Sequence, residues 1–284
     1  MYRKYLKENK MSRFIHGDNL EHKIKIERHT ENKNLLAEIK AKYTEWKENN
    51  LKITGTTRND IKKKVELLNQ YKLFINQPKF KKESGDKFGF TSQSQLHSSV
   101  IEEFMYYLFK DIGKLTNKHI NWGRTQAYTN LYFAPASIDA FEESSNIIIN
   151  VKNQDFSISK EVILKSRVSN NDIWQESKIY VPIASIECKT YLDKTMYEGS
   201  VSTAEKIKKG NPYCIFLIVT ETYEVSLDVD PKYSSIDQIY VLRKENKENP
   251  IYEDVIWDMF KFVEIHINSD WSNVKERIKR GKMI

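Results

Sequence analysis

The chain has 284 residues, with 46 Lys and Arg against 39 Asp and Glu and a formal net charge of +7. This length suits one large domain or two small ones, and no apolar run is long enough to cross a membrane. Two cysteines, Cys188 and Cys214, exclude a disulfide scaffold and a four-cysteine zinc site. The N-terminus carries no apolar signal segment, so a reducing cytoplasm is expected. The basic excess fits a polyanionic partner, although an ordinary lysine-rich surface is the simpler explanation.

The first third of the chain is polar and predicted to be helical. Two stretches have apolar residues at helical spacing, namely Leu35, Leu36, Ile39, Tyr43 and Trp46, then Ile61, Val65, Leu68, Tyr71, Leu73 and Ile75. The segment 78–95 combines turn residues with lysines and is predicted to be a boundary loop. A stronger helix is expected next, because a wide apolar stripe runs from Val100 to Ile112, with Glu102 and Glu103 beside it.

The remainder of the chain predicts a sheet, after a polar stretch at 121–126 that we expect to be a loop. Strands are expected at 147–151, at 156–164 after a turn, and at 179–186, 214–219 and 239–242. Helices are expected at 193–209, ending at Gly210, and at 255–267. The predicted fold class is therefore α/β, with a mixed sheet flanked by helices and a helical N-terminal region.

The segment that carries chemistry is Glu187-Cys188-Lys189, which closes an apolar strand. Side chains alternate along a strand, so Glu187 and Lys189 share one face about 7 Å apart. There the carboxylate can hold a divalent cation, and the lysine can hold or deprotonate a water, as phosphodiester hydrolysis requires. A second carboxylate would complete a Mg²⁺ site, and Asp155, which opens the second expected strand, is the natural candidate.

An acidic residue two positions before a lysine is not specific, since Glu21 and Lys23 have the same spacing. Glu187 and Lys189 differ in context, because they end a core strand where unexplained charge is costly. A salt-bridged pair at a sheet edge remains the alternative explanation. Other enzyme classes find little support, since the chain has neither a phosphate-binding glycine loop nor a His-Glu-x-x-His motif.

The arrangement resembles the PD-(D/E)xK nuclease superfamily, with Asp155 as the first acid, although no proline precedes it. The segments 185–192, 203–206, 211–214 and 236–243 resemble one family within it closely. This is the family of BbvCI-like type II restriction endonuclease subunits, which cut CCTNAGC-type sites. The resemblance spans most of the chain and is weakest over residues 20–95.

The resemblance implies that Asp155, Glu187 and Lys189 form the catalytic set. The two carboxylates would bind Mg²⁺, with the backbone carbonyl of Cys188 as a possible further ligand. Lys189 would orient the attacking water, and the product would carry a 5′-phosphate. Glu103 is a candidate for a further metal contact, because superfamily members often supply an acid from the helix before the sheet; a solvated helix flank is its alternative role.

The resemblance also divides the chain into a helical region at 1–92, expected to recognise DNA, and a PD-(D/E)xK nuclease domain at 93–284. Arginine is the usual reader of guanine, so Arg124 and Arg58 are candidates for DNA contacts. Lysines and a terminal arginine are expected to track phosphates, namely Lys81, Lys82, Arg280 and Lys282.

The expected partners are double-stranded DNA and a second subunit, in a bacterial cytoplasm. Each chain would cut one strand, so a palindromic site implies a homodimer and an asymmetric site a heterodimer with a related subunit. Two alternatives remain: another nuclease of the superfamily, acting in repair or recombination, and a DNA-binding subunit without activity.

Overall fold

The structure, a computed structural model, describes residues 13–82, 88–90, 96–168, 173–226, 229–271, 274–279 and 281. Its strands are β1 (Asn121–Phe133), β2 (Ile147–Ser166), β3 (Gln175–Leu192), β4 (Ile215–Tyr223) and β5 (Gln238–Val241). Its helices are α1 (Ile15–Ile26), α2 (Thr30–Lys52), α3 (Arg58–Ile75), α4 (Ser98–Phe109), α5 (Ile112–Leu115), α6 (Ile138–Glu143), α7 (Lys194–Gly210), α8 (Glu253–Asn268) and α9 (Val274–Lys279). In the described part of the chain, no helix has the length and apolarity that a membrane span needs.

The strands form a mixed sheet in the order β1-β2-β3-β4-β5. The pairs β1–β2 and β2–β3 are antiparallel, whereas β3–β4 and β4–β5 are parallel. One face packs against the N-terminal helices, α4 and α8 through a large core that includes Leu36, Phe104 and Phe260. The other face packs against α7 through Ile207 and Phe216. The predicted α/β class with a mixed sheet and flanking helices is confirmed.

Strand β1 is a correction, because residues 121–126 were expected to form a loop. The strand alternates regularly, with Gly123, Thr125, Ala127 and Thr129 buried and their neighbours more exposed. Its inward side chains are small, so the usual alternation of large apolar residues is missing from the sequence. They are small because α7 approaches closely: a Cβ added to Gly210 would lie 2.3 Å from the carbonyl oxygen of Thr129.

Strand β2 is a second correction, since it runs unbroken through the residues where a turn was expected. Residues 152–155 stay paired with β1 or lie at an irregularity of the β1–β2 ladder. The β2–β3 ladder has an irregularity of its own after Ile158, where Ser159 pairs with Pro182. These local bends let one long strand change direction without a turn.

The N-terminal helices share their core with the sheet. The same hydrophobic cluster contains Leu20 and Leu68 as well as Leu217. A buried ion pair adds to this contact, because Lys72 of α3 donates to the carboxylate of Glu221 in β4. Arg243 completes the group, with its Nε 2.9 Å from Oε2 of Glu221. The division of the chain at residues 92 and 93 stays a prediction, and the hydrophobic core crosses it.

Candidate active site

Asp155 lies in a β-bulge of β2, opposite β1. The β2 partners of Gly123 and Thr125 are three residues apart, so Arg124 alone faces two residues of β2, Asp155 and Phe156. Gly123 has a φ of 134°, in the region that favours glycine. Bulges of this kind redirect a side chain and are common beside active sites. The bulge therefore sets the direction in which the side chain of Asp155 projects.

The carboxylate of Asp155 reaches β3. Its Oδ2 accepts a hydrogen bond from the backbone amide of Cys188 at 2.9 Å. Burial raises the pKa of Asp155 above its ordinary value, and the negative charge of Glu187 raises it further, against the opposing effect of Lys189. Asp155 and Glu187 are thus close enough to repel one another, as the two acids of a cation site do.

Glu187 and Lys189 lie side by side on β3. Ile186 and Cys188 point into the large core, so the alternation of the strand turns Glu187 and Lys189 the other way. The Nζ of Lys189 lies 2.7 Å from Oε1 of Glu187, and the side chains are 25% and 19% exposed. Burial lowers the pKa of Lys189, but Glu187 and Asp155 together raise it above its ordinary value. Lys189 is therefore an ammonium ion at neutral pH, suited to orienting a water rather than deprotonating one.

Helix α4 adds a third acid to this cluster, Glu102. Burial, then the charge of Asp155, raises the pKa of Glu102 to about 7, while Arg124 and Lys189 lower it. Glu187 raises it as well. We call Asp155, Glu187, Glu102 and Lys189 the acidic cluster. In the sequence, Glu102 is one of two adjacent acids beside the apolar stripe, and no role was predicted for it.

Glu102→Gln is expected to stabilise the protein at alkaline pH in the absence of metal. Between pH 4.5 and about 7 the native state keeps a proton that the unfolded state releases, so wild-type stability falls as pH rises through this window. Glutamine does not ionise, so the variant should exceed wild type at about pH 8 and match it at about pH 4. One pKa unit corresponds to about 1.4 kcal/mol, so the gain is at most a few kcal/mol.

Urea unfolding with EDTA at the two pH values measures this difference. Glu205→Gln, on α7, is the matched control and should show no gain at either pH. An equal effect of Glu102→Gln at both pH values would contradict a raised pKa for Glu102.

Glu103, which was expected to contact metal, lies outside the acidic cluster. It is fully buried, and its Oε2 accepts from the amide of Gly17 at 3.0 Å. Its Oε1 accepts from the hydroxyl of Tyr43 at 3.0 Å and from that of Tyr107. Successive helix residues point about 100° apart, so α4 turns Glu102 to the sheet end and Glu103 to the N-terminal helices. The acid that α4 supplies is therefore Glu102.

Glu103→Ala is expected to destabilise the fold by about 3 kcal/mol or more, because each buried donor left without an acceptor costs about 1–3 kcal/mol. Tyr43, Tyr107 and the amide of Gly17 would all lose their acceptor. Urea unfolding at neutral pH measures the loss, with Glu102→Ala as the matched neighbour. Similar small effects of the two substitutions would contradict the structural role of Glu103.

The acidic cluster matches magnesium in its donor chemistry. Among the described residues, no three His, Cys, Asp or Glu side chains are arranged to hold a metal ion. Asp155 bonds the Cys188 amide, and Glu187 pairs with Lys189. Magnesium, however, takes hard oxygen ligands and is often held by one or two carboxylates with several waters. Burial raises the pKa values of Asp155 and Glu102, and neighbouring carboxylates raise them further, so a bound cation would offset this negative charge.

The two arginines named as candidates for DNA contacts have different surroundings. Arg124 is exposed on β1, and its charge reaches Asp155 and Glu102. Arg58 is the first residue of α3, and its Nε lies 3.0 Å from Oε1 of Glu253 at the start of α8. Arg124 therefore belongs beside the acidic cluster, whereas Arg58 is bound to a carboxylate of its own chain.

The candidate phosphate contacts stay predictions. Lys81 and Lys82 are exposed, next to a short 3-10 turn at Pro78–Phe80. The amide of Lys82 donates to the carbonyl of Phe90 at 3.1 Å, which fixes the backbone there. Arg280 and Lys282 lie outside the described residues.

Comparison with known proteins identifies a family and a similar fold. A family model described as the Bpu10I restriction endonuclease matches residues 93–249. A solved structure, the native BbvCI A2B2 tetramer at low resolution, superposes with a TM-score of 0.64 and 19% identity. The match covers 90% of this chain and 97% of that chain; at this identity it shows the fold alone. No curated protein matches the chain.

Proposed function

The chain belongs to the Bpu10I restriction endonuclease family. From this premise we propose that it hydrolyses double-stranded DNA and that Asp155, Glu187 and Lys189 are its catalytic residues. Membership of the family makes it a type II site-specific deoxyribonuclease. The observation that carries the choice of residues is the acidic cluster, because Asp155 in its bulge faces the strand that bears Glu187 and Lys189.

Magnesium is the proposed cofactor. Asp155 and Glu187 would hold it, with the backbone carbonyl of Cys188 as a further ligand, and Glu102 takes the place of Glu103 as the nearby acid of α4. When bound, the ion would polarise the phosphoryl group and lower the pKa of a water. Neighbouring carboxylates add to the effect of burial in raising the pKa values of Asp155 and Glu102, and this supports the assignment because a cation would offset their charge.

As an ammonium ion, Lys189 would orient the attacking water. The oxygen of this water forms a bond to phosphorus, and the bond between phosphorus and the 3′ oxygen breaks. The attacking water gives up one proton to solvent and the leaving 3′ oxygen takes one up, so the products are a 5′-phosphate and a 3′-hydroxyl. Glu187 would hold Lys189 in place, as their 2.7 Å ion pair suggests.

Each chain would carry one active site and cut one strand. A double-strand cut then needs two chains, either two copies of this one or this chain with a related subunit. The BbvCI structure is described as an A2B2 tetramer, which favours the second arrangement. The proposed target is a CCTNAGC-like or a related palindromic site, recognised by the helical region 1–92. Arg124, Arg58, Lys81, Lys82, Arg280 and Lys282 are the proposed DNA contacts.

Two other functions fit the fold. A nuclease of repair or recombination would have the same core, and a DNA-binding subunit without activity would have the same relatives. The combination of Asp155, Glu187 and Lys189 in one cluster favours an active subunit over an inactive one.

Incubation of the purified chain with supercoiled plasmid and phage DNA in Mg²⁺, with an EDTA control, tests the proposal. Discrete double-strand fragments would mean that copies of the chain suffice, and sequencing of the ends would give the site. Nicked circles would mean one half of a heteromeric enzyme. If a chain that binds DNA makes no Mg²⁺-dependent cut, alone or with its native partner, the proposed activity is wrong.

A further inference from the structure

Arg124 is a cation placed beside the acidic cluster without being neutralised by it. The bulge sets it opposite Asp155 and Phe156, and its side chain is exposed. Its charge lowers the pKa of both Asp155 and Glu102. Among the described residues, no carboxylate forms an ion pair with its guanidinium. The guanidinium therefore has donors available for another anion.

Two other arginines of the chain already form ion pairs with acids. Arg58 forms an ion pair with Glu253 at 3.0 Å, and Arg243 forms one with Glu221 at 2.9 Å. Arginine has five donors in a planar fork that fits the oxygens of a phosphate in pairs. Of these three arginines, Arg124 is the one that lies beside the acidic cluster.

We propose that Arg124 contacts the non-bridging oxygens of the phosphate that is cut, and that it is a catalytic residue of this enzyme. The inference rests on the proposed function, in which Asp155, Glu187 and Lys189 cut DNA. An anion that enters the acidic cluster meets three carboxylates, so a second cation beside Lys189 offsets their repulsion. Arg124 is then a reader of phosphate rather than of a guanine edge.

The position of Arg124 supports contact with phosphate over contact with a base. Residues 121–126 were expected to form a loop, but Arg124 lies within β1, between the paired residues Gly123 and Thr125. Gly123, with its φ of 134°, fixes the backbone at this point. From this backbone position Arg124 would reach the same phosphate as Asp155, because the two residues face each other across the ladder.

Single-turnover cleavage by Arg124→Ala tests the inference, with the full chain in the assembly that cuts DNA. The rate constant at saturating enzyme should fall about 10²–10³-fold, the usual cost of losing one preorganised group at a transition state. The dissociation constant for DNA, measured without Mg²⁺, should change less than about tenfold. Arg124→Lys should recover part of the rate. Arg167→Ala, which removes one arginine charge just beyond the end of β2, over the ring of Trp174, is the matched control and should cut normally.

A second measurement does not depend on turnover. Once the wild-type cut site is mapped, the scissile phosphate is replaced by a neutral methylphosphonate. Wild type should lose affinity for this DNA, and Arg124→Ala should lose less, because the two changes remove the same contact. Arg124→Gln replaces the alanine variant if circular dichroism shows that the latter is unfolded.

Three outcomes would overturn the role of Arg124: normal single-turnover rates, a loss confined to DNA affinity, or a changed preference for base sequence. Equal loss of affinity for methylphosphonate DNA in wild type and variant would do the same. Failure of the proposed function is a different result, since the wild-type chain itself would then make no cut, or Lys189→Ala would still cut.

Discussion

Lys189→Ala should bind its DNA site and cut it at least about 10³-fold more slowly than wild type, a loss of about 4 kcal/mol or more in transition-state stabilisation. The Nζ of Lys189 lies 2.7 Å from Glu187, and its raised pKa keeps it charged at neutral pH. Alanine removes both the group that orients the water and the main positive charge among three carboxylates. Single-turnover cleavage in Mg²⁺ measures the rate, and a gel shift without Mg²⁺ measures DNA binding.

Lys178→Ala is the matched control for this variant. Lys178 is on the same strand and is also paired with an acid, since its Nζ lies 2.7 Å from Oε2 of Glu161. It lies outside the acidic cluster, so the control should cut at the wild-type rate. Near-normal cutting by Lys189→Ala would refute the assignment of β3 as the strand that carries the reaction.

Asp155→Asn should abolish cleavage that depends on Mg²⁺, with a loss of at least about 10³-fold. Asparagine keeps the shape of the side chain and an oxygen that can accept from the Cys188 amide, so the bulge should persist. It removes the charge that would bind the ion. The thermal shift produced by Mg²⁺ gives a readout separate from activity, and it should shrink in this variant.

Glu161→Gln, also on β2, is the control for Asp155→Asn and should retain both cleavage and the thermal shift. If Asp155→Asn still cuts while Asp172→Asn does not, then the first acid is Asp172. Asp172 lies outside the described residues, so this result would move the proposed metal site along the chain.

The sequence predicted the strands and helices that bury large apolar residues. Helix α7 was placed within one residue, because Asp193 caps it, with its Oδ1 2.8 Å from the amide of Met196, and Gly210 ends it. Strand β1 was missed, since its buried residues are glycine, threonine and alanine rather than large apolar ones. Hydrophobic periodicity detects a strand only when burial requires large side chains, and close packing of α7 requires small ones here.

The acidic cluster was predictable in part. Glu187 and Lys189 could be chosen because alternation along a strand is a local rule, whereas Asp155 depended on pairing between distant strands. The choice between Glu102 and Glu103 could not be made from sequence, since both flank the same apolar stripe. It depends on the rotation of α4 about its own axis, which brings Glu103 to the hydroxyl of Tyr43.

The ion pair between Lys72 and Glu221 bears on attempts to exchange specificity among relatives. A chimaera that takes its first 92 residues from another family member would keep Glu221 and Arg243, and would lose Lys72 wherever that relative has another residue at this position. Removing one partner of a buried pair costs about 3–5 kcal/mol, because the remaining charge stays buried. Such chimaeras should be built with a lysine at the position of Lys72, or with Glu221 and Arg243 replaced as well, before their target sites are compared.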